Sequence, residues 1–138
     1  ANRQGAQKRT IPLNQIAQTL NSPKVKLINL QYGEVDKEIR QLHKDFGIKV
    51  HQLSEINNMN DLDSLASLIC ACDRIVSIDN TTIHFSGALG KDSKLLLPYS
   101  CDWRWGMRQS TSHWYQSVKL HHQTRINNWD DAFASTLK

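Results

Sequence analysis

The sequence predicts an α/β domain built on a mostly parallel sheet with helices on both faces. Two observations carry that expectation. Strand-like apolar runs alternate with amphipathic helical stretches at least four times along the chain. The 138 residues, 39% hydrophobic and 22% charged, suffice for one domain with a real core and are not the composition of a disordered chain.

Each element has its own signal. Residues 1–10 are polar and read as a flexible tail. Pro12 suits the first turn of a helix, and Leu13, Ile16, Ala17 and Leu20 follow at helical spacing. "NSP" at 21–23 stops that helix. "VKLINLQ" (25–31) is a strand with an apolar centre. In "EVDKEIRQLHKDFG", Val35, Ile39, Leu42 and Phe46 make one apolar helix face, and Gly47 is the C-cap. "IKVHQL" (48–53) is the second strand. "NDLDSLASLICAC" is a helix with Asn60 as N-cap, Asp63 in the first turn, and Leu62, Leu65, Ala66, Ile69 and Cys72 on the buried side. "RIVSI" (74–78) is a β-branched strand, and "SKLLLP" (93–98) another, closed by Pro98. A long aromatic loop follows, then "VKLHHQ" (118–123) as a short edge strand. A helix from Trp129 to Leu137, started by Asn127 or Asn128, closes the chain. Right-handed crossovers place all strand-to-helix loops on one edge of such a sheet, and ligands bind outside the carboxyl ends of the strands.

Composition narrows the function classes. No apolar run approaches the ~20 residues that span a bilayer, and the opening "ANRQGAQKRT" lacks the apolar stretch of a signal peptide. A cytoplasmic location is therefore expected. The chain does not begin with Met, as a piece of a longer protein would not. The net charge of +4 is spread along the chain; it favours an anionic ligand but lacks the basic stripe with interleaved aromatics of a nucleic-acid binder. Cys70, Cys72 and Cys101 are an odd set without paired spacing, expected as buried thiols and not as a disulfide framework. No HExxH or CxxC spacing exists, so no metal is expected.

The densest chemistry lies in "SIDNTTIHFSGALG" (77–90), where a strand runs into a helix. A helix N-terminus presents unpaired N–H groups and partial positive charge, a seat for phosphate. Asn80, Thr81 and Thr82 can cap the helix and donate to phosphate oxygens, and His84 can reach the same anion. Asp79 would repel a phosphate; it suits orienting the loop N–H groups or accepting a sugar hydroxyl. Ser86, Gly87 and Ala88 would let the helix lie close on the sheet. The plainer reading stands beside this: Asn and Thr before a helix are ordinary caps. There is neither GxGxxG nor GxxxxGK[ST], so this is not a dinucleotide fingerprint or a P-loop. In the loop "PYSCDWRWG" and beyond, Tyr99, Trp103, Trp105, Trp114 and Tyr115 either plug the end of the sheet or wall a base or sugar ring, with Arg104 reaching an anion.

These same residues carry a resemblance. "SIDNTTIHFSGALGK", "LLLPYSCDWRWG" and "SHWYQSVKLHHQ" resemble the C-terminal domain of bacterial glycosyltransferase-like proteins, often attached to tetratricopeptide repeats and related to the heptosyltransferase family. The usual first motif is similar to S-V-D-T-x-x-x-H-L-A-G-A-L-G-K-P, and the second to L-L-P-x-x-P-D-W-R-W. The likeness takes in nearly all of residues 11–137. It implies a Rossmann-like three-layer sandwich, the C-terminal half of a GT-B fold, with 11–138 a single domain that binds a nucleotide-sugar donor. Gln31, Asp79, Asn80, Thr81, Thr82 and His84 would face the donor and its diphosphate, His84 stabilising the leaving group. Ser54 and Glu55 would lie near ribose or base, and Asp102, Trp103 and Arg104 would contact base or sugar. Transfer in this fold needs no metal. Departures include Asn80 for the commoner Thr, Asp92 and Ser93 for Lys-Pro, and Cys101 for Pro. Only a tail and one helix precede the first strand, so the acceptor domain and general base would come from elsewhere, a tetratricopeptide partner among the options. A non-catalytic interaction or regulatory module is the alternative. A receiver-like domain would need an acidic pocket at the first strand end, and "INLQYG" has none.

Overall fold

The computed structural model describes residues 10–136, so the tail at 1–9 and Leu137 lie outside the described residues. The protein is α/β, as the alternation predicts, and every strand pairing in its two sheets is parallel. The elements are α1 (Leu13–Leu20), β1 (Leu27–Ile28), α2 (Asp36–Phe46), β2 (Val50–His51), α3 (Leu62–Ala71), β3 (Ile75–Ile78), α4 (Thr81–Ala88), β4 (Ser93–Leu97), a 3₁₀ turn (Trp103–Trp105), β5 (Val118–His122) and α5 (Asp130–Thr136). They gather into two compact units, residues 11–68 and the chain from residue 69 onward, with α3 crossing the boundary. No helix among the described residues is long and apolar enough to cross a membrane.

In the first unit β1 pairs with β2, Leu27 opposite Val50. Ala17, Leu42 and Ile48 form the core, with Leu13, Leu27 and Val50 packed on it. The strand expected over 25–31 shortens to two residues because Asn29 turns the chain: its Oδ1 accepts from Gln31 N at 3.0 Å, an Asx turn that ends extended pairing. Helix α2 keeps Val35, Ile39 and Leu42 buried but leaves Phe46 exposed at its end. Gly47 caps it in left-handed backbone (φ 67°), its N–H donating to His43 O. The N-cap of α3 is Asp61, not Asn60, its carboxylate accepting from Ser64 N at 3.0 Å. The Ser64 side chain first, and that backbone bond second, hold the Asp61 carboxyl below the ordinary carboxylate value. Leu62, expected inside, is exposed in this first turn.

The second unit is a three-layer stack on the sheet β3-β4-β5. The central strand β4 is buried along its whole length. Leu95 and Leu97, with Val118 and Leu120 of β5, meet Ile83 of α4 and Trp105. On the other face α5 packs over β4 and β5. There Lys94, 7% exposed, donates from Nζ to Thr136 O. A cation at a helix C-terminus answers unpaired carbonyls and the negative end of the helix dipole. Burial lowers the Lys94 ammonium pKa, with Arg74 adding to that effect. β5 is an edge strand, as expected; Leu120 N bonds Ser110 O at 3.0 Å, so the loop covers part of that edge. The closing helix begins at Asp130, one residue later than expected, and Asn128 Oδ1 accepts from Asp130 N at 2.8 Å just ahead of it.

Candidate functional site

The junction after β3 is built from a relay of short polar side chains. Ser77 Oγ lies 3.1 Å from Asn80 Oδ1, and that same oxygen accepts from Ile83 N at 3.3 Å. Asn80 holds extended backbone (φ −154°) and so is a true N-cap of α4. Its oxygen serves the protein, and the residue itself is exposed. Thr81 is exposed and Thr82 half-buried. Neither hydroxyl has a hydrogen-bond partner among the described residues. Together with the first-turn N–H groups, they are donors looking for an acceptor.

His84 is held on three sides. Its Nδ1 lies 3.1 Å from Tyr115 Oη, and its Nε2 faces Asp79 Oδ1 at 3.9 Å. The ring stacks on Trp105, centroids 5.1 Å apart at 29°, and meets Tyr115 edge-on at 5.8 Å. The Asp79 side chain is 8% exposed and that of His84 33%. Tyr115 on Nδ1 and Asp79 on the Nε2 side together orient the imidazole. Trp105 is fully buried, and its Nε1 has no partner among the described residues.

The small residues behind the junction have separate tasks. Ser86 is the one that meets the sheet: its Oγ accepts from Ser93 Oγ at 2.9 Å and donates to Ile83 O at 3.1 Å. Gly87 instead makes room for Tyr115. A Cβ there would lie 2.7 and 2.8 Å from Tyr115 Cδ2 and Cδ1 and closer still to Cγ. Ala88, expected on the sheet, is exposed. Gly90 (φ 69°) ends the helix, with Gly90 N to Gly87 O at 3.1 Å and Lys91 N to Ser86 O at 2.9 Å.

The aromatic loop divides by role. Trp105 is the plug, with Tyr115 beside it, whereas Trp103 is 79% and Trp114 61% exposed. Arg104 does not extend toward an anion. Its Nε and Nη2 donate to the Asp102 carboxylate at 3.0 and 3.3 Å, and Asp102 also accepts from Arg104 N at 3.1 Å. Those bonds to Asp102 raise the guanidinium pKa. Burial pushes the Cys101 thiol up, and its Sγ sits 3.1 Å from Gly106 O. Cys70, expected buried, is exposed.

In the unit of residues 11–68, a separate cavity of about 560 Å³ opens at the carboxyl ends of β1 and β2. Gln31 and Ser54 line it with Asn29, Asp36, Arg40 and Asn58. Glu55 is exposed and is not in the lining. Asn58 donates from Nδ2 to Gln31 O at 3.4 Å, while its Oδ1 is buried with no partner among the described residues. Sequence reasoning brought Gln31 and Ser54 to one edge but overlooked Asn58. The "INNMN" run that carries it gives only a turn signal. Tyr115 was legible as an aromatic but not as the partner of His84, since a contact across 31 positions leaves no local trace. No group of three His, Cys, Asp or Glu among the described residues is arranged to hold a metal ion.

The chain is 32% identical over 111 residues to Protein FlbA of Caulobacter vibrioides. The match takes in 80% of this chain and 18% of that protein, so the chain spans less than a fifth of its relative's length. No family model matches the chain, and no solved structure matches it.

Proposed function

We propose that this chain is the donor-binding half of a glycosyltransferase, holding a nucleoside-diphosphate sugar at the β3–α4 junction. One observation carries the reading: at the N-terminus of α4, the Thr81 and Thr82 hydroxyls lack protein partners among the described residues, with the part-exposed His84 following in the same turn. That is a set of donors converging where a diphosphate would sit. In the reaction it serves, an acceptor hydroxyl attacks the anomeric carbon and the bond from that carbon to the diphosphate oxygen breaks. The electron pair leaves with the diphosphate, and the helix N–H groups, both threonines and His84 stabilise the growing charge. The general base and the acceptor belong to another domain or partner, in keeping with the sequence resemblance to repeat-associated enzymes.

A non-catalytic interaction module is the second reading. It is favoured by the two exposed indoles of Trp103 and Trp114 in the loop beside the junction. Calorimetric titration with UDP, GDP and ADP separates the two. On the first reading a diphosphate binds, and Thr81→Val with Thr82→Val, or His84→Ala alone, weakens it by roughly 1–3 kcal/mol. Unaltered affinity in both variants would remove the junction from consideration.

A further inference from the structure

Helix α5 has seven residues, too few to hold its shape without the sheet beneath it. Its apolar side, Ala132 and Phe133 with Trp129 just ahead, is buried. Its two ends are tied differently. At the start, Asn128 Oδ1 accepts from Asp130 N, and Thr124 Oγ1 donates to the Asp131 carboxylate. At the end, two basic side chains of the sheet make the ties. Lys94 of β4 donates from Nζ to Thr136 O, and His121 of β5 meets Ser135 Oγ with its Nδ1 at 2.7 Å. The Nε2 of that imidazole is buried and has no partner among the described residues.

These bonds fix the tautomer. Ser135 Oγ has one proton, and it goes to Ala132 O at 2.8 Å. His121 Nδ1 is therefore the donor to Ser135 Oγ, and Nε2 carries only a lone pair. The other tautomer would take the serine proton away from Ala132 O and bury an Nε2–H with no acceptor, two losses for no gain.

Protonation of the ring ends this arrangement. The new Nε2–H has no acceptor, and the imidazolium sets a second positive charge near the buried Lys94. The charged groups on the surrounding elements do not offset it. On β5 they are the exposed Lys119 and the neighbouring His122, and on β4 Lys94 itself. Arg74 and Asp92, ahead of β3 and β4, bond each other at 2.7 Å. On α5, Asp130 and Asp131 lie in the first turn, away from Ser135, and Asp131 is taken by Thr124. Burial first, then the charges of Lys94 and His122, lower the His121 pKa. Opening the last turn of α5 brings water to the ring at less cost than unfolding the sheet, because Ser135 is already exposed and Leu95 and Leu97 stay packed with Ile83 on the opposite face.

We infer that His121 is a pH-sensitive latch on α5: its neutral ring holds the last turn to the sheet through Ser135, and its protonation releases that turn, with the Lys94–Thr136 bond, while the sheet stays folded. The latch lies away from the β3–α4 junction and does not rest on the diphosphate reading.

NMR on the full 138-residue chain tests it. At about pH 7.5 the ring ¹⁵N shifts of His121 should report the Nδ1–H tautomer. Amide exchange, corrected for its intrinsic pH dependence, should show the protection of Ser135 and Thr136 falling roughly tenfold between about pH 7.5 and about pH 5, in step with the His121 titration. At both pH values Leu95 and Leu97 should stay roughly a hundredfold better protected than the last turn, the mark of a local opening. His121→Asn keeps a side-chain N–H for Ser135 and cannot titrate, so the fall should vanish. Ser135→Ala, at an exposed position, should leave the fold intact, lower last-turn protection already at about pH 7.5 and remove most of the fall. His122 alternates to the other face of β5, and His122→Gln should keep the response. Four results would overturn the inference: an Nε2–H tautomer, last-turn protection indifferent to pH, protection equal to that of Leu95 and Leu97, or a response that survives His121→Asn or Ser135→Ala. Should His121→Asn fail to fold, Ser135→Ala decides alone.

Discussion

The β3–α4 junction and the cavity lined by Gln31 and Ser54 look alike in the sequence, each a polar cluster at a strand end. They differ in what the side chains bond to. At the junction most polar atoms answer one another: Ser77 to Asn80, Asn80 to Ile83, Asp79 and Tyr115 to His84. The hydroxyls of Thr81 and Thr82 are what is left for the proposed diphosphate after these partners are counted. In the 29–58 cavity the side chains of Gln31, Ser54 and Arg40 face open space, and the structural bonds run mainly through backbone and Asn side chains. Density of polar residues thus measures two things at once, and only burial separates a braced site from a bare one.

That contrast can be broken by substitution. The largest expected effect is at Trp105, which is fully buried and carries the His84 stack. Trp105→Ala should destabilise the fold by about 3–5 kcal/mol in urea unfolding. A loss under 1 kcal/mol would mean the junction is not braced from behind. Next is Gly87→Ala, which drives a methyl into the Tyr115 ring. Overpacking of this kind costs about 1–3 kcal/mol, and the variant should also lose the His84 Nδ1–Tyr115 bond, read as changed His84 ring chemical shifts by NMR at one fixed pH. At the other pole, Gln31→Ala and Ser54→Ala should leave stability within about 0.5 kcal/mol of the parent, because both residues are exposed. A larger drop would show that their cavity is braced too.

The pH dependence sharpens the picture for the sheet. Burial lowers the pKa of His121 and His122 below the ordinary 6.5, with Lys94 and His122 adding to the effect on His121. The folded state therefore binds fewer protons than the unfolded chain in the window just below 6.5. Stability is full above that value and falls as pH drops through it. Thermal unfolding at several pH values should show this slope, and His121→Gln with His122→Gln should flatten it.

Much of the fold is legible because its signals are local. Gly47 and Gly90 as helix ends and the buried β4 follow from residue chemistry within a few positions. Errors came where neighbours compete. Asp61 took the cap from Asn60 because its carboxylate reaches Ser64 N. Asn29 cut β1 short by bonding Gln31 N. Phe46 and Leu62 fit the apolar periodicity but fall at helix ends, where little of the core remains to cover them.

By itself the sequence determined the alternation of elements, the parallel pairing and the place of the polar junction, since propensity, capping and hydrophobic period act over a few residues. The tertiary structure alone decided which polar groups are already answered. Arg104 is neutralised by Asp102, Lys94 is turned to the end of α5, and Gly87 yields its space to Tyr115. The physical reason is that satisfaction and burial are properties of atoms brought together from distant positions, and no window of neighbouring residues contains them.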